Sequence, residues 1–346
     1  MKWILLLMLL TNGLFTWAQT NTEPHLANIK QLTFGGDNAE AYFSPDGKKV
    51  CFQSNNPQWG LQCDQIFYMV LEEAEDNTTY QPMMVSNGKG RTTCSYYMPD
   101  GKKIIYASTF KGSNECPPEP AKDGKYLWAI YPTFDLFITD EKGKTTKQLT
   151  DVPGYDAEAT LSPKGDKIVF TSTRNGDLDL YIMDIDGKNI KQLTFGLGYD
   201  GGAFFSPDGK QLVFRASRPQ GEDTIAYKEL LAKGLVAPTN MELYTINADG
   251  TGLRQITNLG KANWAPFFHP NGKQIIFSSN HHSPRGYDFQ LYVINTDGTG
   301  LQKITTESLF NAFPMFSPDG KKLIFSSNRN NGGTRDTNLF IADWIE

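Results

Sequence analysis

The chain has 346 residues, 39% of them hydrophobic, with 33 Lys and Arg set against 38 Asp and Glu for a formal net charge of −5. That acidic balance argues against a nucleic-acid backbone as the main partner, since phosphate binding is driven by basic surface. The length would suit two or three ordinary domains, but internal repetition overrides that expectation.

Residues 1–18 read as a secretory signal peptide. Lys2 supplies the positive start, residues 4–10 the apolar stretch, and Thr16-Trp17-Ala18 a small-residue cleavage site. The apolar run is too short to span a bilayer. No Cys follows the cleavage site to carry a lipid, and no other run is long enough to cross a membrane. A periplasmic or secreted location is expected, with residues 19–30 a polar, loosely held segment.

From Gln31 onward one unit is written six times, and residues 154–194 show it without insertions. Residues 157–161 form a first run, stopped by Ser162-Pro163-Lys164-Gly165, where Pro presets φ and Gly closes the turn. Residues 167–172 are apolar through the middle, as in a strand buried on both faces. Residues 178–185 end at Asp186-Gly187, a two-residue hairpin signal. Lys191-Gln192-Leu193-Thr194 is the fourth, outer strand. Four antiparallel strands joined by tight turns make one propeller blade.

The turn prolines recur at 45, 99, 163, 207, 270 and 318, spaced 54, 64, 44, 63 and 48 apart, each two residues before a Gly. The outer strand recurs around Leu32-Thr33, Val85-Ser86, Leu149-Thr150, Leu193-Thr194, Ile256-Thr257 and Ile304-Thr305. A period in the forties, stretched twice, is a blade length. The prediction is therefore an all-β, six-bladed propeller over residues 31–346. Gln31-Leu32-Thr33 is an outer strand with no inner strands before it, and residues 338–345 are a third strand with no fourth. Pairing the two closes the ring and covers an open sheet edge.

In blade 1, residues 72–79 read as a solvated acidic hairpin loop. Blade 2 carries an insertion over residues 110–133 with Cys116 and the aromatic group Tyr126, Trp128 and Tyr131. Blade 4 carries residues 218–240, where 224–233 predict a short helix capped by Asp223 or Thr224, with Tyr227, Leu230 and Leu231 on one face, and ended by Gly234. Both insertions, and the His281-His282 loop of blade 5, fall on the face opposite the proline turns, which marks that face as the binding side.

The repeated Leu-Thr, Ser-Pro-Asp-Gly, Leu-Tyr and Asp-Gly pattern resembles the TolB-like propellers built of WD40-like repeats. The resemblance covers residues 31–346. TolB itself resembles this propeller preceded by an α/β domain, for which residues 19–30 leave no room. TolB-like propellers receive partner peptides or domains at the channel mouth. Other propellers similar to this one are metal-dependent lyases on acidic oligosaccharides.

Counting seven back from each turn proline gives Asn38, Thr92, Asp156, Asp200, Asn263 and Asn311, small polar residues where each innermost strand begins. These are read either as turn caps or as a ring around the channel. Two residues on lie Glu40, Cys94, Glu158, Gly202, Ala265 and Phe313. The expected ligand site is Asn38, Glu40, Asp156, Glu158, Asp200, Asn263 and Asn311 around the mouth, with Trp128, Tyr131, His281 and His282 above it. Its clustered carboxylates favour a cationic or hydrogen-bond-donating ligand tip. The primary expectation is a non-enzymatic, monomeric module that binds a protein or small molecule. The alternative is a metal-dependent carbohydrate-active enzyme. No Cys-x-x-Cys and no Gly-x-Ser-x-Gly occurs, so neither a cofactor nor a catalytic elbow is expected. One disulfide is expected among Cys63, Cys94 and Cys116, with Cys51 in mid-strand.

Overall fold

A computed structural model describes residues 23–346, so the expected signal peptide lies outside the described residues. Six four-stranded antiparallel sheets are arranged as blades. Blade 3 is the plainest, with strands Asp156–Leu161, Lys167–Ser172, Asp179–Asp184 and Lys191–Gln192 numbered outward from the centre. The first strands of the other blades, taken in order, are Asp37–Phe43, Thr92–Tyr97, Asp200–Phe205, Asn263–Phe268 and Asn311–Phe316. The second strands carry a Phe or Tyr at one shared position, Phe52, Tyr106, Phe170, Phe214, Phe277 and Phe325, each 0% exposed. This ring of side chains between sheets is the apolar burial that holds neighbouring blades together.

Blade 6 closes as expected. Leu26–Gln31 pairs antiparallel with Asn338–Trp344, from Leu26 opposite Trp344 to Gln31 opposite Phe340. The closing strand begins within the segment expected to be loose, because Leu26 buries its side chain against the blade 5–blade 6 core.

The recurrent outer-strand Thr has a physical role. Thr150 Oγ1 accepts from the Leu136 N–H at 2.9 Å and donates to Asp135 at 3.2 Å. Thr194 does the same with Leu180 and Asp179, and Thr257 with Leu243 and Glu242. Thr305 repeats it with Leu291 and Gln290. Ser86 substitutes in blade 1, and Thr33 provides the bond for the closing strand. Fourth strands of two to six residues are too short to hold by ladder bonds alone, so this side chain pins them.

Two local expectations differ from the structure. Residues 72–79 are not a plain loop: Leu71–Ala74 forms one helical turn with Leu71 and Ala74 buried. Glu75 then pairs with Lys30, and Asp76 accepts from the Gln31 N–H, which clasps the closing strand. The blade 4 helix spans Glu222–Ala232 and starts at Gly221 with no side-chain cap. Asp223 instead sits with Glu222 in the first turn, where negative charge faces the positive end of the helix dipole. Tyr227 is buried, Leu230 and Leu231 are half-buried, and Gly234 ends the helix at φ +70° with its N–H on Leu231 O.

Candidate functional site

Every innermost strand contains a bulge. Its register slips between Ala39 and Tyr42 in blade 1, Ala157 and Thr160 in blade 3, and Gly201 and Phe204 in blade 4, with the same slip in blades 2, 5 and 6. One residue per bulge is left-handed: Glu40 (φ 54°), Cys94 (49°), Glu158 (58°), Gly202 (61°), Ala265 (48°) and Phe313 (53°). A bulge frees an N–H from the ladder, and the preceding blade takes it up in three cases. The Cys94 N–H donates to Gln53, the Gly202 N–H to Glu158, and the Phe313 N–H to Ser278. Five of these positions are not Gly and carry about 1–2 kcal/mol of backbone cost each.

These six residues line a constriction of about 20 Å³ at mid-channel. Just beyond it, Tyr42, Tyr96, Phe204 and Phe267 pack in tilted and edge-to-face contacts with ring centroids 5.2–6.2 Å apart. Aromatic side chains therefore plug the channel. On the proline side lies an apolar mouth of about 390 Å³ bordered by all six turn prolines. On the insertion side lies a polar cleft of about 470 Å³.

A strap of insertion segments walls that cleft. Trp128–Ala129 of the blade 2 insertion pairs with Leu235–Val236 of the blade 4 insertion, and the Ile130 N–H reaches Gly234 O at 2.7 Å. The Trp264 indole N–H donates to Pro238 O, and its ring packs on Trp128 and Tyr126. At the other end Cys116 is disulfide-bonded to Cys63 of blade 1, with Cα atoms 6.1 Å apart. Arg91 bridges Asp64 at 2.5 Å and Glu119 at 2.6 Å beside it. The expected single disulfide among three candidates is thus Cys63–Cys116. Cys94 is free and faces the constriction, and Cys51 is free and buried in mid-strand.

The cleft floor holds a charged cluster. Arg215, 8% exposed, forms an ion pair with Glu158 and donates to the Tyr199 hydroxyl at 2.7 Å. Tyr199 donates in turn to the Glu158 carboxylate at 2.7 Å, and Thr171 Oγ1 donates to it at 2.7 Å. The guanidinium lies over Trp128 and Tyr199, 5.0 and 5.2 Å from their centroids. Glu40 stands on the same floor, and burial raises its carboxyl to about 7, opposed by a Cys94 hydrogen bond and by Arg215 and aided by Glu158. Burial also pushes the Cys94 thiol and the Tyr199 hydroxyl well up, so both are neutral at physiological pH.

Of the expected site residues, the structure brings Glu40, Glu158, Trp128 and Tyr131 together in this cleft. Asn38, Asp156, Asp200, Asn263 and Asn311 are at most 1% exposed and are used between strands and blades. Asn38 donates to Thr337 O, Asn263 to Met241 O and Asn311 to Gln290. Asp156 is paired with Arg174 at 3.0 Å, and Asp200 with Arg218 at 2.6 Å. They are joints of the ring, and none borders the cleft. His281 and His282 are also absent from its lining. His281 Nδ1 bonds Ser279, and His282 sits between the Tyr292 hydroxyl and Asp288 at 2.9 and 3.1 Å. Sequence reading missed Arg215, Tyr199 and Arg91. Arg215 did leave a signal: in the other blades its second-strand position holds Gln53, Ala107, Thr171, Ser278 or Ser326, and a lone charge inside an apolar strand demands a buried partner.

Known proteins bear on this geometry as follows. The family model of the TolB β-propeller domain matches residues 131–236 and 228–339. Among solved structures, a putative TolB from Agrobacterium tumefaciens is similar, with 19% identity, TM-score 0.57, and 90% of this chain and 91% of that one covered. An oligogalacturonate lyase in complex with manganese is similar at 13% identity, TM-score 0.50, and 92% and 93% coverage. A gluconolactonase from Xanthomonas campestris is similar at 11% identity, TM-score 0.59, and 93% and 91% coverage. At such identities these likenesses establish the fold and leave the chemistry to the site. The donors a manganese ion would need do not converge here: among the described residues no group of three or more His, Cys, Asp or Glu is placed to hold a metal. With the family model spanning more than half of its length, the chain belongs to the TolB β-propeller family.

Proposed function

We propose that this propeller is a monomeric binding module, exported to the periplasm or beyond, whose working site is the strapped cleft on the insertion face. The observation that carries this reading is the cleft itself. It is about 470 Å³, walled by Tyr126, Trp128 and Tyr131 and floored by Glu40 and the Glu158–Arg215–Tyr199 cluster. That combination of an apolar wall and a few convergent polar groups is characteristic of small-molecule and peptide sites. Export is supported by the leader-like residues 1–18 and by the Cys63–Cys116 disulfide, a bond that persists in oxidising compartments. Among the described residues no helix is long and apolar enough to cross a membrane. The proline-side mouth is the rival site, but it presents mainly Pro and Phe with no charged side chain. The alternative of a metal-dependent carbohydrate-active enzyme rests on fold likeness to the lyase and the lactonase, and no set of residues in the cleft favours it.

The test is to isolate the protein from its host, identify bound material by native mass spectrometry, and map that ligand by hydrogen exchange. Protection is expected in residues 53–64, 91–94 and 119–131. Protection confined to the proline turns would overturn the assignment.

A further inference from the structure

The turns around the proline-side mouth form a collar. A Cβ on Gly47 would lie 3.6 Å from Pro318, one on Gly101 3.7 Å from Pro45, and one on Gly209 3.5 Å from Pro163. Gly165 lies against Pro99 and Gly320 against Pro270 in the same way. Each of these turns rests on the proline of the blade before it. Inside the collar is a cup of about 390 Å³, walled by the six prolines and reaching down to Tyr96, Phe204 and Phe267 of the aromatic plug. Proline has no N–H to offer. The Ser44, Ser162 and Ser317 hydroxyls that border the cup donate to Asp46, Asp166 and Asp319 at 2.6–2.7 Å. A peptide backbone entering here would leave polar groups unmet, which is costly, whereas plain hydrocarbon would not.

The rim above this apolar cup is basic. The six proline turns, residues 44–49, 98–103, 162–167, 206–211, 269–274 and 317–322, carry ten lysines against five aspartates. Five of those lysines are paired with carboxylates. The other five, Lys48, Lys102, Lys164, Lys273 and Lys321, are exposed and have no ion-pair partner among the described residues. One such unpaired ammonium stands on the turn of every blade except blade 4, whose Lys210 is 3.6 Å from Asp208. Five free positive charges around an uncharged hollow favour an anion that carries its own apolar body.

We infer that this mouth is a second binding site, separate from the cleft, for a single-chain anionic amphiphile of the fatty-acid class. The tail fills the cup down to the aromatic plug. The carboxylate stays at the rim among Lys48, Lys102 and Lys164, which stand on the interlocked turns of blades 1 to 3. Burial of the tail supplies the affinity, and the unpaired ammonium groups select the sign of the head. The cup is concave and closed at its floor, so it takes one chain, whereas the surface of a bilayer would cover the rim and leave the hollow unfilled. No residue lining this mouth also lines the cleft, so the two assignments stand or fall separately.

The probes are decanoate, decanol and decyltrimethylammonium, each titrated calorimetrically into the full mature chain below its micelle concentration. Expected is one-to-one binding of decanoate, at least tenfold tighter than either other probe, and weakened by added salt as screening reaches the exposed lysines. Hydrogen exchange with decanoate bound should protect residues 44–48, 98–102 and 162–165 and leave residues 119–131 unchanged. Lys102→Glu combined with Lys164→Glu removes two exposed, unpaired side chains, so the variant should melt like the parent while its decanoate affinity falls at least fivefold and loses most of its salt dependence. Equal binding of the three probes, no saturable binding of decanoate, or an unchanged affinity in the variant overturns the inference. Binding to phosphatidylglycerol vesicles with none to decanoate also overturns it, since that would make the face a membrane contact. Decanoate that protects residues 119–131 instead places the amphiphile in the cleft and removes it from the proline side.

Discussion

Gly202 is where blade 4 makes room for a guanidinium. A Cβ there would lie 2.0 Å from Arg215 Nη1, and one on Gly201 would lie 2.3 Å from Glu158 Oε2 and 2.6 Å from the Tyr199 hydroxyl. Gly202 is also left-handed, at φ +61°. Gly202→Ala should therefore cost about 1–3 kcal/mol by overpacking, read as a lower urea midpoint at unchanged slope. Arg215→Leu should cost more, about 3–5 kcal/mol, because it strands the Glu158 carboxylate in a buried site. If Arg215→Leu melts like the parent, the cluster does not support the floor. At this scale the sequence is legible where the repeat phase gives position. Counting from the turn prolines reaches Glu40 and Glu158, which border the cleft. The same count picked Asn38 and Asp200, since phase places a residue along a strand without saying whether its side chain turns to the channel or to the next blade. Tyr199 was invisible because its partner Glu158 lies 41 residues away in another blade.

The strap is held by a two-residue ladder to the blade 4 insertion and by one covalent bond to blade 1. The disulfide closes a loop of 53 residues, for which chain entropy gives a stabilisation of ~4 kcal/mol. Cys63→Ala with Cys116→Ala should lower stability by about 2–4 kcal/mol and raise hydrogen exchange in residues 110–131 above the rest of blade 2. Uniform exchange across the blade would mean the bond does not anchor the strap. The closing strand is the other element with a clear test. Deleting residues 23–34 bares the edge of Asn338–Trp344, and an unpaired edge recruits other chains. The truncated protein should aggregate or lose its single sharp melting transition. The strand deficits at the two chain ends made this closure readable. The strap's ladder was not readable, since Trp128–Ala129 and Leu235–Val236 carry no turn or period that links them. The early helix start at Glu222 follows from a cap supplied by backbone Gly221 rather than by a side chain.

Over the whole molecule, two sets of carboxyls oppose each other. Turn aspartates such as Asp46, Asp208 and Asp319 are held below the usual range by hydrogen bonds from a Ser hydroxyl and a Lys backbone N–H. Their contribution is present above about pH 4 and lost as pH falls through their lowered folded values. Asp135 and Asp179 are raised to about 6, and Asp200 to about 7, all chiefly by burial. Between about pH 4 and 7 the folded chain binds their protons more tightly than the unfolded chain does, so their contribution to stability declines as pH rises through that window. The melting temperature should thus peak between about pH 4 and 6 and decline toward pH 8, as calorimetry would show. A monotonic rise from pH 5 to 8 would contradict these burial effects.

The ring closure also sets an order in time. Asn28 bonds Asp343 across 315 positions of sequence, and Thr33 bonds the Leu339 N–H across 306. A ribosome adds residues at about 5–20 per second, so Leu26–Gln31 is made many seconds before its partner Asn338–Trp344. During that interval five blades can assemble from local hairpins, while the first strand stays unpaired beside them. A chain interrupted at residue 336 would hold nearly the whole propeller and still have no mate for Leu26–Gln31. Synthesis of Asn338–Trp344 is in this way recorded in the fold, because a chain interrupted before it carries a loose strand that the closed ring does not.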